Sequence, residues 1–193
     1  MSNQVSILAF AGSTRTGSFN DSLVRIAARG AIEAGASVRI VSLKDYPMPL
    51  YDGDLEKQQG LPHTVKGLKE YFRQADGFLL ASPEYNSSIS PLMKNTLDWL
   101  SRPEGARPML EVIKGKHAAL CSASPGFRGG ERGLAALRSM LTNCGVTVLA
   151  DQVTIAGAHM AFNENGNLKE AKLNQNAMEL GRKLAETLKK LKG

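Results

Sequence analysis

The sequence predicts a doubly wound α/β fold, in which a parallel sheet carries helices on both faces. Five short apolar segments suited to buried strands alternate along the chain with segments whose apolar residues recur at helical spacing. Polar loops follow the first, third and fourth apolar segments, at residues 11–20, 83–90 and 122–130. Because parallel strands joined by right-handed crossovers all end at one edge of the sheet, we expect these loops to converge there on a ligand.

The chain has 193 residues, enough for an extensive core, and we expect one domain over residues 1–193. Cys121 and Cys144 are far apart and lack metal-ligand spacing, so we expect buried reduced thiols and no bound metal. No signal-peptide pattern opens the sequence, and no apolar run approaches the roughly 18 residues of a membrane span. We therefore expect a soluble, cytoplasmic protein without a membrane span.

The formal net charge is +6 and the pI is about 9.4. Lysines and arginines are nevertheless spread along the chain and are not interleaved with aromatic residues, as they are in many nucleic-acid-binding segments. We interpret them as solvated faces and predict no nucleic-acid partner. A basic surface still favours anionic substrates.

The first strand is predicted over residues 5–11, and a helix follows the loop at 12–20 and stops at Gly35. A second strand is predicted at 38–41. Residues 44–62 are rich in turn formers, which predicts a long loop that is functional or lies at an interface. Its apolar side chains look too hydrophobic to be wholly exposed; they are Met48, Leu50 and Tyr51.

A short helix is predicted at 63–74 and a fully buried strand at 77–82. Ser90 and Pro91 have the residue types of an N-cap and a first-turn proline, so they predict the start of the next helix. A polar connection is expected at 103–115. Beyond it, the pattern predicts a strand at 117–122, a helix ended by Gly145, and a strand at 146–149 that extends towards 155. A final amphipathic helix is predicted from an apolar stripe at Leu173, Ala177, Leu180, Leu184, Leu188 and Leu191.

The loop at residues 12–20, called the phosphate loop below, has the composition of an anion site. Gly12 allows a sharp turn off the strand, Arg15 adds a fixed charge, and the following helix presents its positive end. Hydroxyl and amide groups come from Ser13, Thr14, Thr16, Ser18 and Asn20. These features predict a terminal phosphate monoester, and the alternative is a merely polar turn between strand and helix.

Two familiar phosphate motifs do not match this loop. Gly12 and Gly17 have the glycine spacing of a P-loop, but Ser18 stands where that motif has lysine, so a nucleoside triphosphatase is disfavoured. Thr14 stands where the dinucleotide fingerprint needs a second glycine, so a dinucleotide across this loop is disfavoured too.

The other two loops suit a planar ring. Pro83 shapes the exit from the third strand, Tyr85 can lie along a flat ligand, and the backbone of residues 84–87 can meet its polar edge. Residues 122–126 are small enough to let a ring approach the backbone. An ordinary turn with an exposed tyrosine is the alternative explanation for residues 83–87.

Three motifs in this order resemble the NADPH-dependent FMN reductase family of flavodoxin-like proteins, over essentially the whole chain. They are Gly12-Ser13-x-Arg15-x-Gly17-Ser18-x-Asn20, Ser82-Pro83-Glu84-Tyr85-Asn86 and Pro91-x-x-Lys94-Asn95-x-x-Asp98-Trp99. The resemblance implies a flavodoxin-like three-layer sandwich, with a five-stranded parallel sheet in the order 2-1-3-4-5, and non-covalent FMN.

The resemblance also implies a set of cofactor-binding residues: Gly12, Ser13, Arg15, Gly17, Ser18, Phe19 and Asn20 around the phosphate, and Pro83, Glu84, Tyr85, Asn86, Ser87, Ser122, Ser124, Pro125 and Gly126 around the ring and ribityl chain. It gives Lys94, Asn95 and Asp98 a structural or subunit-contact role. The loop containing residues 49–51 resembles one that packs near a neighbouring subunit's flavin, which implies a homodimer or homotetramer.

The activity implied by the resemblance is ping-pong hydride transfer from NADPH or NADH, through flavin N5, to quinones, azo dyes, chromate or free flavin. Arg102, Arg107 and Arg128 are candidates for binding the NADPH 2′-phosphate because they lie in loops. A flavodoxin-type electron carrier and a flavin-dependent sensor are the alternatives. A carrier is expected to be acidic where it docks on basic partners, so the basic charge disfavours it.

Overall fold

A computed structural model describes residues 4–193 and contains two sheets. The strands, in chain order, are β1 (Ser6–Ala11), β2 (Ser37–Ile40), β3 (Gly77–Ala81), β4 (Glu84–Tyr85), β5 (Ser88–Ile89), β6 (His117–Ala123) and β7 (Thr147–Ile155). The main sheet is parallel throughout, in the order β2-β1-β3-β6-β7. Counting only its five strands, this is the order 2-1-3-4-5, so the predicted fold is confirmed. The β4–β5 pair is a separate antiparallel hairpin, which the sequence analysis did not predict.

Helices cover both faces of the main sheet. They are α1 (Phe19–Glu33), α2 (Gly53–Gln59), α3 (His63–Gln74), α4 (Pro91–Ser101), α5 (Glu131–Asn143), α6 (Ala158–Ala161) and α7 (Ala171–Lys192). One apolar core lies between the sheet and α1 with α7, and a second lies between the sheet and α3, α4 and α5. Each core is built from alternate residues of β1 and β3, as expected for strands that are buried on both faces.

Two glycines set the distance between α1 and α7. A Cβ atom on Gly30 would overlap the carbonyl oxygen of Met178, and one on Gly181 would overlap that of Ala27. The helices therefore pack backbone against backbone at this point.

The segment at 44–62 differs from the predicted loop. It contains a 3-10 turn at Leu43–Asp45 and helix α2, whose N-cap Asp52 accepts hydrogen bonds from the next turn. Met48 and Tyr51 are half-buried, as their hydrophobicity predicted, but Leu50 is 79% exposed. The pattern missed α2 because none of its residues is buried, so it has no apolar stripe.

The irregular segment just before α2 is joined to α4 by three side-chain hydrogen bonds. The Asn95 amide donates to Pro49 O at 2.9 Å and accepts from Tyr51 N at 2.7 Å, while Trp99 Nε1 donates to Pro49 O at 2.8 Å. Asn95 thus has a structural role within the chain. Lys94 and Asp98, from the same motif, form an exposed ion pair at 2.7 Å.

Two smaller expectations need correction. The connection at 103–115 is polar in composition, but it buries Val112 and Ile113 against the second core. The apolar stripe of α7 is half-buried at Leu173 and buried from Ala177 to Leu188, whereas Leu191, in the last turn, is exposed. Within residues 4–193, no helix combines the length and apolar character that crossing a bilayer requires.

Candidate functional site

Three cavities adjoin one another where the loops converge at the carboxyl edge of the sheet. They have volumes of about 310, 560 and 270 Å³, and all three are lined by Ser13 and Arg15. The 310 Å³ cavity is closed by the phosphate loop, by Pro83 to Tyr85, and by Ala123 to Pro125. The 560 Å³ cleft lies between the phosphate loop, the tip of the hairpin and the start of α4. A separate cavity of about 350 Å³ between β7 and α7 shares no lining residue with them.

The phosphate loop presents unpaired donors to these cavities. Its N–H groups that find no acceptor among residues 4–193 are those of Ser13, Thr14, Thr16, Gly17, Phe19 and Asn20. Ser18 is the N-cap of α1 and accepts a hydrogen bond from Asp21 N at 3.4 Å. Free backbone donors at the start of a helix form a concave anion site without further adjustment.

The two glycines of this loop serve different purposes. Gly17 has φ +67°, a conformation that favours glycine. Gly12 is needed for space, because a Cβ there would stand 2.9 Å from Ser90 Oγ and 3.0 Å from the Cβ of Met93. Gly12 therefore lets the loop pack against α4, which differs from the sharp turn that the sequence analysis proposed for it.

Arg15 is exposed and makes no ion pair with any carboxylate in residues 4–193. Its guanidinium lies 5.3 Å from the ring centroid of Phe19, which in turn stacks on Phe162 at 5.6 Å. The aromatic stack supports the guanidinium beside the cavity and leaves its N–H groups available to an anion.

Asn20 joins the phosphate loop to the end of β6. Its Nδ2 donates to Ala123 O at 2.8 Å, and its Oδ1 accepts from Ala123 N at 3.0 Å. The side chain is buried, so its amide is largely committed to this pairing. The resemblance implies that Asn20 holds the phosphate; in the structure its side chain links two loops that line the same cavity.

The hairpin turns tightly and is held to the phosphate loop. Asn86 and Ser87 both have positive φ, 51° and 65°, as a two-residue type I′ turn requires. Ser90, just after the hairpin, caps α4 by accepting from Met93 N at 3.1 Å and donates to Gly12 O at 2.7 Å. This side chain therefore fixes the start of α4 against the turn that follows β1.

Glu84 holds the other side of the hairpin. Its carboxylate accepts from Gly133 N at 2.9 Å and from Arg132 Nη2 at 2.9 Å, both in the first turn of α5. Burial raises the pKa of this carboxyl, but the hydrogen bonds from Gly133 and Arg132 outweigh it, and the pKa lies below its ordinary value. The Glu84 side chain is thus occupied with α5, while its residue still lines the 310 Å³ cavity.

The loop between β6 and α5, residues 124–130, completes the edge. Ser124 and Pro125 line the 310 Å³ cavity. Ser122 is fully buried beneath Gly130, and no protein atom among residues 4–193 accepts or donates a hydrogen bond at its Oγ. At the tip of the loop, Phe127 is 86% exposed and the Arg128 guanidinium lies 5.4 Å from its ring centroid.

Most of the predicted site residues lie together. The cavities are lined by Gly12, Ser13, Arg15, Gly17, Ser18, Phe19, Asn20, Pro83, Glu84, Tyr85, Asn86, Ser124 and Pro125. Three predicted residues line none of them: Ser87, Ser122 and Gly126.

The cavities have further lining residues beyond the cofactor-binding set that the resemblance implies: Thr14, Thr16, Ser90, Pro91, Leu92 and Ala123, with Asp21, Ser22, Arg25, Ser42 and Lys44 around the smallest cavity. Ser90 and Pro91 were recognised only as helix-start signals. These two residues directly follow the loop at 83–90, which ends at the ligand-binding edge of the sheet, and this position indicates that they also line the site.

The sequence matches the family described as NADPH-dependent FMN reductase over residues 5–160. The chain belongs to this family. An NAD(P)H-dependent FMN reductase of Pseudomonas aeruginosa is 32% identical over 194 aligned residues, covering 100% of both chains. A quinone reductase of Escherichia coli K12 is 37% identical over 142 residues, which are 73% of this chain and 71% of that one.

Solved structures agree with this membership. The flavoenzyme NAD(P)H:(acceptor) oxidoreductase FerB of Paracoccus denitrificans superposes with a TM-score of 0.79, at 26% identity, over 96% of this chain and 98% of that one. An archaeal flavodoxin superposes with a TM-score of 0.66 over 96% of this chain and 99% of that one, and at 14% identity it shows the fold alone. In this FMN reductase family member, the three motifs of the resemblance fall on the phosphate loop, the hairpin and α4.

Proposed function

We propose that this FMN reductase family member binds FMN in the adjoining cavities and transfers reducing equivalents from NADPH or NADH to a quinone-type acceptor. The family match and the relatives named above support an NAD(P)H-dependent oxidoreductase. We further propose that the chain acts as a single FMN-binding domain in the cytoplasm.

The observation that carries the proposal is the set of unpaired donors on the phosphate loop. N–H groups and an arginine that have no acceptor or carboxylate partner in the described part of the chain, residues 4–193, meet there with the positive end of α1. Their chemistry fits a phosphate monoester, and the two larger cavities, of about 310 and 560 Å³, have the volume usual for a cofactor site, about 300–1,000 Å³. The residues present therefore fit FMN.

Each part of the site has a distinct task. Ser13, Arg15 and Ser18 hold the phosphate, while Pro83 to Tyr85 and Ser124 to Pro125 orient the ring. The hydrogen bonds of Asn20 with Ala123, and of Glu84 with α5, hold the loops in fixed positions. The loops therefore lose little conformational freedom when the ligand binds. When bound there, FMN would supply the hydride- and electron-transfer chemistry. No side chain of the site is assigned as an acid or base.

The test uses the purified protein. Mass spectrometry of the released cofactor is expected to find FMN, since the loop is built around a terminal phosphate, and mainly FAD would contradict the assignment. Anaerobic addition of NADPH is expected to bleach the flavin absorbance rapidly, and a quinone is expected to restore it. Absence of bleaching would favour an electron carrier or sensor instead.

We also propose a homodimer or homotetramer. Leu50 is 79% exposed and lies beside the half-buried Met48 and Tyr51, so these side chains form a small apolar patch on the surface near α4. A second copy of the chain would cover this patch. Light scattering at working concentration tests this proposal, and a mass of 20.7 kDa would contradict it.

A further inference from the structure

The turn at the tip of the β6–α5 loop carries an exposed aromatic ring stacked with an arginine. The N–H of Gly129 donates to Gly126 O at 3.2 Å, which closes a turn with Phe127 and Arg128 at its two central positions. The Arg128 guanidinium covers one side of the Phe127 ring, and the ring is still 86% exposed. The site that Ser124 and Pro125 line therefore has a flat apolar surface and a cation at its rim.

Arg128 is available to an anion. It belongs to none of the ion pairs among residues 4–193, although Glu131 follows it closely in sequence. A guanidinium stacked on a ring keeps its edge free, and that edge matches a phosphate in a bidentate geometry. Arg132, one turn further on, is in contrast committed to Glu84.

Arg102 and Arg107, the other two candidates for binding the NADPH 2′-phosphate, lie away from this turn. Arg102 follows the last residue of α4, and its guanidinium donates to both carboxylate oxygens of Glu56. Since α4 has 11 residues and starts at the cleft, Arg102 lies roughly 16 Å along the helix from it. Arg107 is near Glu70, beyond that same end of α4.

We propose that Arg128 binds the 2′-phosphate of NADPH and that Phe127 stacks on its adenine, so that this turn sets the preference between NADPH and NADH. The nicotinamide would stack on the ring that Ser124 and Pro125 orient. Arg128 follows Pro125 by three residues on the same exposed loop, so the two lie within about 11 Å of each other, a distance that the adenosine half of the nucleotide can span. NADH has the same adenine and lacks the phosphate, so Arg128 discriminates between the two nucleotides and Phe127 does not. This inference rests on the proposed NAD(P)H-dependent function.

The test compares variants of the FMN-loaded protein. Arg128→Ala is expected to raise the KM for NADPH roughly 10- to 100-fold, as for the loss of one charged hydrogen bond, and to change the KM for NADH by less than about twofold. Phe127→Ala is expected to weaken the binding of NADPH and of NADH equally. Arg107→Ala, which removes the same charge far from the site, is the matched control and should leave the NADPH/NADH ratio unchanged.

A binding measurement separates this inference from the proposed function. By calorimetry, adenosine 2′,5′-bisphosphate is expected to bind the wild-type protein and to lose affinity in Arg128→Ala, while AMP binds both equally. If neither nucleotide bleaches the flavin but this pattern holds, the function fails and the phosphate site stands. An unchanged NADPH/NADH ratio in Arg128→Ala, equal bisphosphate affinities, or no bisphosphate binding to the wild type would overturn the inference.

Discussion

The Asn20 side chain and the Ala123 backbone form a two-way hydrogen-bonded pair, with distances of 2.8 and 3.0 Å. The residues are 103 positions apart in sequence, yet the pair imitates a step of strand pairing between the phosphate loop and the end of β6. Ala123 is buried, so its N–H and C=O groups cannot form hydrogen bonds to water if the Asn20 side chain is removed. The pair therefore couples the geometry of the site to the stability of the fold.

Replacing Asn20 by Ala is expected to lower the free energy of unfolding by about 1–3 kcal/mol, because it leaves buried backbone groups unpaired. FMN affinity should fall as well, since the two loops that line the 310 Å³ cavity lose their link. Urea denaturation of the apo and FMN-loaded protein measures both effects. Asn165→Ala, on an exposed turn, is the control; a loss no larger than in that control would show that the pair is dispensable.

Replacing Arg15 by Ala is expected to weaken FMN binding by about 1.5–3 kcal/mol, the usual effect of losing one charged hydrogen bond. The apo protein should keep its stability, because Arg15 is exposed and its contact within the chain is with Phe19. Fluorescence titration with FMN gives the dissociation constant. Arg29→Ala, on the exposed face of α1, should bind FMN normally, and equal affinity in both variants would mean that Arg15 does not contact the phosphate.

Acid should destabilise the protein through Glu84. The pKa of this carboxyl is below its ordinary value of 4.5, so its contribution to stability is present above pH 4.5 and is lost as the pH falls through the lower, native-state pKa. Hydrogen bonds from Arg73 lower the pKa of Glu111 against the effect of burial, which adds to the same acid-dependent loss.

Glu84→Gln is expected to cost about 1.5–3 kcal/mol at pH 7 and to reduce the further loss of stability between neutral and acidic pH. Denaturation midpoints across this pH range measure both quantities. Glu186→Gln, an exposed change on α7 that also removes one negative charge, should follow the wild-type curve. A variant curve parallel to the wild type at every pH would mean that Glu84 does not titrate differently in the native state.

Much of the fold follows from local pattern. Helix α3 runs from 63 to 74 as predicted, since Val65, Leu68 and Phe72 are spaced for one buried face, and α4 starts where Ser90 and Pro91 indicated. The hairpin was missed because its turn uses Asn86 and Ser87 at positive φ, where the strongest signal is a glycine.

The site was less predictable where its side chains depend on distant partners. Glu84 turns towards α5 because Gly133 leaves room for its approach, a contact across 49 positions that spacing does not reveal. Ser122 was assigned to the cofactor, but β6 runs to Ala123, one residue further than the pattern suggested, and Ser122 is buried inside it. The motif resemblance identified the loops, and tertiary contacts determine which residues face the ligand.

Gly30→Ala should be strongly destabilising, by about 3 kcal/mol or more, because the added methyl overlaps the Met178 carbonyl and forces α1 from α7. Gly67→Ala is the matched control in α3. Its methyl would meet only Tyr46 at 3.9 Å, an ordinary contact, so the better helix propensity of alanine should add about 0.5–1 kcal/mol. Thermal denaturation of both variants measures the difference, and similar midpoints would show that the helices can separate at little cost.

Tyr85 stands at the border of the 310 and 560 Å³ cavities, with 52% of its surface exposed. Its hydroxyl takes part in no hydrogen bond within the part of the chain that the structure describes, so nothing there orients it as a proton donor. We therefore expect its ring to guide nucleotide and acceptor, and Tyr85→Ala to change the KM values for NADPH and quinone while the fold stays intact.

Tyr85→Phe distinguishes this guiding role from acid catalysis. The phenylalanine keeps the ring, so both half-reactions should proceed at nearly the wild-type rate, because hydride transfer requires no side-chain acid and a reduced quinone can take protons from water. If the phenol instead supplied an obligatory proton, the rate would fall by the ~10²–10⁴-fold typical of a general acid. Stopped-flow measurement of flavin reduction by NADPH and of reoxidation by quinone separates the half-reactions. A collapse of either rate with FMN still bound would assign Tyr85 a chemical role.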